Sequence, residues 1–471
     1  MINKRLTIFF LFSIGLVVAI SSCKKDNFIT SSDARLSTSV DSLRYDTVFT
    51  SVGSITQSFK INNLNDQKLL LSSVKLMGGS SSPYKINVNG LATTEASNVE
   101  INANDSIYVF VSVNIDPTVN NLPFIVSDSI QITYNGNKRF VQLESFGQNA
   151  YFLRDSVVSV NTSFQNDKPY VILGSLTVNN NVTLNIPSGA RIYAHANAPI
   201  IVDGTLNCNG TYNNQIVFNG DRLDNDYKDL PASWPGIYFR QTSKNNNLIF
   251  TQIRNAYQAV VVYNQATNLN PKVTLSKCII DNTYDAGIYS INSSITADNC
   301  LISNCGDNIK ILYGGKYNFT NCTVASYGSF YIQHKNPVLF ITNHFEESGT
   351  TYTEDLNANF TNCIFWGENG NVENEISTSK KGANSFAINV TNCIYKAKAD
   401  PDNVIFTSII KNQKPEFDSI DVNKKYYDFQ ITKNILAPGL NAGATTSFTV
   451  DLNNNPRVVG SKPDIGCYEK Q

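Results

Sequence analysis

Lys277-Cys278-Ile279-Ile280, Asn299-Cys300-Leu301-Ile302 and Asn321-Cys322-Thr323-Val324 repeat one phrase, with a cysteine every 22 residues. A further step of 22 lands on His344, inside Thr342-Asn343-His344-Phe345, which copies Thr320-Asn321-Cys322-Thr323 with histidine in the cysteine's place. Thr361-Asn362-Cys363-Ile364 follows 19 residues later and Thr391-Asn392-Cys393-Ile394 after 30 more, leaving room for a loop between Glu373 and Ser385. A fixed period of about 20 to 50 residues marks stacked units that bury their apolar faces only against one another. The phrases carry no helical spacing, which leaves a leucine-rich repeat or a β-helix, and the leucine grid of the former is absent. Coils of a β-helix stack at about 4.8 Å, so equivalent side chains form ladders. The cysteines then lie inside as small apolar groups, and the asparagine before each joins an amide ladder at the turn. In-register Cβ vectors run parallel, which makes the disulfide dihedral hard to reach, so buried free thiols are expected. Cys208, Cys305 and Cys467 fall off this ladder, and no CxxC pair suggests a metal.

Upstream, Gly174-Ser175-Leu176-Thr177-Val178, the run from Val182 to Tyr193, and Ile200-Ile201-Val202-Asp203-Gly204-Thr205-Leu206 are short strands divided by Gly or Asn turns. They resemble the entry coils of right-handed parallel β-helix proteins of the pectate-lyase-like superfamily. Downstream, Leu436 to Gly443, Asp451 to Arg457 and Pro463-Asp464-Ile465-Gly466-Cys467-Tyr468-Glu469 resemble the terminal phrase of bacterial β-helix proteins, with Cys467 for the usual alanine. The resemblance implies an all-β right-handed parallel β-helix over 165–471, with a C-terminal cap that presents a polar end.

From Asp41 the pattern changes to half-buried alternation, as in Ile107-Tyr108-Val109-Phe110-Val111-Ser112-Val113. Asn135-Gly136 between two such runs is the strongest short-range hairpin signal, because both residues tolerate positive φ. About seven short strands separated by turns suggest a sandwich over 41–150. The segment resembles the immunoglobulin-like modules that precede repeat domains in bacterial surface proteins, which implies a spacer.

Lys4 and Arg5, an apolar run from Leu6 to Ile20, and Ser21-Ser22 ahead of Cys23 read as a secretory signal peptide over 1–22. The apolar run falls short of the about 20 residues a spanning helix needs. Ala19-Ile20-Ser21-Ser22-Cys23 resembles the lipobox of bacterial lipoproteins, which implies acylation of Cys23, a polar tether over 23–40, and a lipid-anchored place on the surface or periplasmic face of the outer membrane. Six tripeptides, among them Asp105-Ser106-Ile107 and Asp418-Ser419-Ile420, resemble a bacterial O-glycosylation signal. A net charge of −1 over 471 residues, with Lys and Arg scattered, provides no phosphate-neutralising stripe, so nucleic acid is not expected as a partner. With 42% hydrophobic and 16% charged residues the chain is neither disordered nor membrane-embedded.

The most polar insertion in the repeat runs from Gly220 to Ile237. Asp221, Asp224, Asp226 and Asp229 supply the hard oxygen ligands that Ca²⁺ prefers, although not at EF-hand spacing. Arg222 and Lys228 supply cations, and Tyr227 and Trp234 offer faces on which a sugar could stack. Likeness to pectate-lyase-type solenoids implies an acidic polysaccharide held through Ca²⁺, with an Arg or Lys, here Arg222 or Lys228, to take the proton. The plainer reading is a loop that caps and solubilises, with Trp234 covering an edge of the core. His195 and His334 have no acidic neighbour in sequence, His344 sits at a ladder position, and no Ser-His-Asp arrangement can be read. Asp281, Asp285, Asp298 and Asp307 recur in successive coils, as a carboxylate face or as turn residues. No paired acid and base stands out. The sequence therefore favours binding of a polysaccharide or cell-surface glycan, or an adhesin-like structural role, over a polysaccharide lyase or glycoside hydrolase.

Overall fold

A computed structural model describes residues 27–49, 53–116, 124–225 and 227–471. The segment 1–22, Cys23 and Asp226 lie outside the described residues. The chain divides between Asn149 and Ala150 into two compact units, and no helix among the described residues is long and apolar enough to cross a membrane.

The first unit contains two five-stranded sheets whose inward side chains form one buried cluster. Strict alternation places them there. In Ser106–Val113, Ile107, Val109, Val111 and Val113 are buried while Tyr108 and Phe110 face out. Asn135 and Gly136 take φ of 43 and 80° and join Phe124–Tyr134 to Asn137–Gln148, as a two-residue hairpin requires. Part of the expected tether belongs to this unit. Leu36–Thr38 pairs with Gln57–Asn63, and Ala34 and Leu36 enter the core, so two apolar side chains hold the segment against the sheet.

The second unit is built on a 26-stranded sheet in which each strand pairs in parallel with its equivalent one coil on. This large parallel sheet is consistent with a β-helix. It begins earlier than 165, since Tyr151–Val158 already pairs in parallel with Tyr170–Val178. The early strand hides in the sequence because Asp155, with φ 42°, bulges it and breaks its apolar pattern.

Cys278, Cys300, Cys322, Cys363 and Cys393 form the expected inner ladder, one coil apart by the register of the residues after them. The steps are 22, 22, 41 and 30 residues. His344 is therefore not a rung. Leu339–Thr342 pairs with the strand around Ile309–Ile311, on another side of the coil, and His344 opens an antiparallel hairpin, His344–Glu347 with Thr350–Thr353. The same local phrase thus serves a different corner. The residue before each ladder cysteine, Lys277, Asn299, Asn321, Asn362 or Asn392, has φ between 50 and 55°, a conformation asparagine tolerates better than most residues. One amide step is made, Asn362 Nδ2 donating to Asn321 Oδ1 at 2.9 Å. Asn299 and Asn392 turn instead to Asp298 Oδ2 and Ala442 O. All eight cysteines among the described residues are free and buried, and burial pushes the thiols of Cys278, Cys300, Cys322 and Cys363 well up.

The C-terminal segment differs from the expected cap. It lies along a flank of the coils, where Phe429, Ile431, Ala437, Leu452, Ile465 and Cys467 cluster with the outward-facing Leu301, Ala325, Ile364, Trp366 and Ile394. Cys467 N donates to Thr323 Oγ1 at 3.0 Å and Gly466 N to Asn362 O at 2.9 Å. Asn362 binds both backbone atoms of Ala444, donating to its carbonyl at 2.8 Å and accepting from its amide at 2.7 Å. The outward apolar row of these coils needs a cover, and the tail's own apolar residues supply it.

Candidate functional site

Strands of the coils from Ile216–Gly220 to Leu301–Ser303 bury Phe218, Ile253, Ile280 and Ile302. The alternate positions, Asn219, Arg254, Asp281 and Ser303, stack in register, one per coil. Ser303 Oγ donates to Asp281 Oδ1 at 2.6 Å. Beside this row runs an amide row at the turn, Asn282 Nδ2 donating to Asn255 Oδ1 at 2.7 Å and Asn255 Nδ2 to Asn219 Oδ1 at 2.9 Å. The same amides hold the polar loop above them through Lys228 O at 2.7 Å and Asp229 O at 2.9 Å. A cleft of about 170 Å³ results, floored by Arg254 and Asp281 and walled by Lys228 and Asp229, by Ser329 and Tyr331, and by Lys425 and Tyr427. Tyr427, from the hairpin Ser419–Asp421 with Tyr426–Asp428, donates to Gly328 O at 3.2 Å. Burial, with Asp281 nearby, pushes its hydroxyl above the ordinary tyrosine range.

The loop residues singled out in the sequence divide. Lys228 and Asp229 line the cleft. Asp221 does not reach a common centre with the other acids, because its buried carboxylate takes His195 Nδ1 at 2.7 Å. Burial raises its pKa, partly offset by that imidazole. Asp224 binds Arg222 Nε at 3.2 Å, and the Arg222 guanidinium lies 4.2 Å over the half-exposed ring of Tyr227. Among the described residues no three His, Cys, Asp or Glu side chains converge as a metal site, and the donors nearest to a Ca²⁺ set are engaged by His195 and Arg222. Trp234 follows the plainer reading and departs from the sugar-stacking one. Only 1% exposed, it packs in the coil core near Phe218 and donates Nε1–H to Arg254 O at 2.8 Å, so it offers no face to a sugar.

Two of the histidines have acidic partners that sequence reading missed. His195 reaches Asp221 across 26 residues, the step from Ala194 to Gly220, and His334 Nε2, on the loop 327–338, reaches Glu375 Oε1 at 3.0 Å, beside the Leu339↔Ile376 pairing. Coil register was the signal for the first pair. The second pair is fully buried, with Lys396 Nζ 3.8 Å from Glu375, and it pins the loop 327–338. A Cβ on Gly367 would stand 2.2 Å from His334 Nε2, so glycine makes room for it. The four recurring aspartates do not form one carboxylate face: Asp285 accepts from Gln258, Asp298 from Ser276 and Asn299, and Asp307 from Lys310.

No protein-family model matches this chain, and no curated protein matches it. Among solved structures, the chain is similar at 13% identity to a family 123 glycoside hydrolase from Clostridium perfringens, studied for glycolipid glycan hydrolysis. The likeness covers 24% of this chain and 26% of that one, so the chain spans about a quarter of that protein. With a TM-score of 0.17 it carries no argument about the site.

Proposed function

We propose that this chain is a cell-envelope lipoprotein whose right-handed β-helix binds a polysaccharide or cell-surface glycan in the cleft over Arg254 and Asp281. In this reading Cys23 is acylated, and an immunoglobulin-like spacer stands between it and the β-helix in the sequence. The observation that carries the reading is the cleft's composition. Two tyrosines together with Lys228, Arg254, Asp281 and Lys425, charges of both signs, suit a polyhydroxylated ligand, which needs polar hydrogen-bond partners together with apolar faces. Retention of the full-length chain, solubilised in detergent, on a glycan array, with loss in Arg254→Ala, tests it. Wild type that retains no glycan overturns it.

The exposed imidazole of His195, oriented by the buried Asp221, favours a second reading, a polysaccharide lyase or glycoside hydrolase, since a carboxylate-held imidazole is a general base. Incubation with uronate polysaccharides and added Ca²⁺ gives rising ultraviolet absorbance from unsaturated product if a lyase is present. A flat trace, with no new reducing ends, removes the second reading. Intact-mass analysis of the native protein tests the tripeptides, for which added hexose is the expected result.

A further inference from the structure

Next to the cleft, the coil corners carry a row of exposed aromatic side chains. Tyr257 and Tyr284 stand on successive coils with ring centroids 5.8 Å apart and planes 26° apart. Two coils beyond Tyr284, the loop 327–338 carries Phe330 and Tyr331, whose rings meet edge to face at 5.2 Å. Phe330 is 89% exposed and stands with the exposed rings of Tyr331 and Tyr284 as a patch rather than a lone side chain, and exposed apolar patches mark binding surfaces.

Between these two layers the intervening coil offers no side chain. Its residue there is Gly306, where a Cβ would stand 2.3 Å from Tyr284 O. The result is a concavity of about 370 Å³ bounded by Tyr284, Gly306, Phe330 and Tyr331, with Gln333, Lys335 and Asn336 at its rim. Two coil steps span roughly 9.6 Å, and a ring in contact on both faces needs about 7–8 Å. The bare corner at Gly306 leaves room of that order between Tyr284 and the loop 327–338. Tyr331 lines both this slot and the polar cleft, and Lys425 Nζ lies 5.2 Å over its ring, so the two concavities share a wall.

We propose that Tyr284 and Phe330 hold one pyranose ring of a glycan chain in this slot, with the next residues of the chain lying across Tyr331 in the Arg254–Asp281 cleft. The inference rests on the glycan-binding reading and adds where the chain runs and how it is gripped. A pyranose fits because it has an apolar C–H face on each side and hydroxyls at its edge, which meet the amide and ammonium groups of the rim. Arg254, Asp281 and Lys228 continue that pattern into the cleft, where a purely aromatic ligand would not meet these charged groups.

Calorimetric titration of the full-length chain in detergent, with the array's best oligosaccharides as a series of one to six residues, tests the slot. Affinity is expected to rise with length until both concavities are filled. Phe330→Ala and Tyr284→Ala are each expected to weaken the longer oligosaccharides by roughly tenfold, the worth of one stacked ring, and Tyr284→Phe to retain affinity. Phe330 is too exposed for its loss to unfold the protein. Glycan binding that depends on Arg254 but is unchanged in both slot variants overturns the slot and leaves the cleft standing. Competition by p-nitrophenol as strong as by the sugar overturns the pyranose assignment. An array that retains nothing overturns the glycan reading itself and the slot with it.

Discussion

Removing the Asn362 side chain should loosen the C-terminal segment from the coils while leaving the coils themselves intact. The buried amide donates to Asn321 Oδ1 at 2.9 Å and to Ala444 O at 2.8 Å and accepts from Ala444 N at 2.7 Å. Three bonds at about 1 kcal/mol each give about 3 kcal/mol for their loss. The backbone adds to this in Asn362→Ala, because φ is 55°, a conformation that costs an alanine about 1 kcal/mol more, for a total of about 4 kcal/mol. Asn362→Gly removes the bonds without the strain and should fall about 1 kcal/mol short of the alanine variant. Asn357→Ala, which loses one exposed contact accepted from Asn359 at 3.2 Å, is the control and should stay within about 0.5 kcal/mol of wild type. Native-state hydrogen exchange is the suitable assay, because it reports opening free energies segment by segment. Amides of 436–471 should lose protection, and those of 170–260 should not. Alanine and glycine variants within about 1 kcal/mol of wild type, or a loss spread evenly over the solenoid, would refute the reasoning.

Four other outcomes are expected. An aromatic thiol reagent should find none of the eight ladder and off-ladder cysteines in the native protein and all eight in guanidinium, since each is buried and free; rapid native labelling would contradict the packing. Trp234→Ala should destabilise the second unit by about 3–5 kcal/mol in chemical unfolding, as a core cavity does, where an exposed sugar platform would show almost no change. Lys272→Met removes an ammonium held by the carbonyls of Arg240, Gln241 and Tyr263 at 3.0, 3.1 and 2.6 Å. Burial pushes that lysine down to about 8, so between pH 8 and 10 the unfolded chain binds more protons there than the folded one, and wild-type stability gains a rising contribution that the variant should lack. Equal pH slopes for the two proteins would count against it. Glu469 is pushed up to about 7 by burial. The folded protein therefore takes up its proton first, stability from this group falls as pH rises from about 4.5 to 7, and Glu469→Gln should flatten that part of the profile.

The solenoid was legible because its signal is periodic and local. Cysteine spacing marked the inner ladder, and Asn135-Gly136 marked the hairpin at its true place. What escaped has one physical cause, that coil register decides contacts and loops change the step. His344 fitted a period of 22, but the chain uses a 41-residue step there. His195 and His334 lacked acidic neighbours in sequence yet meet Asp221 and Glu375 one coil away. Trp234 looked like a loop residue because polar groups precede it, although Ile237–Phe239 follows at once as a core strand. The slot needs Tyr284, Gly306 and Phe330 on three successive coils, a grouping that appears only once the coils are in register.

The segment on the flank also ties solubility to the presence of residues 429–467. Coils that pair with their immediate predecessors can form as the chain emerges, but Leu301, Ala325, Ile364, Trp366 and Ile394 stay bare until residues 429–467 arrive. A chain that stops short of them would expose a greasy stripe to chaperones and proteases. Truncation after residue 412 should therefore raise binding of a hydrophobic dye while parallel-sheet content persists. Residues 429–467 act as a seal that a chain lacking them cannot apply.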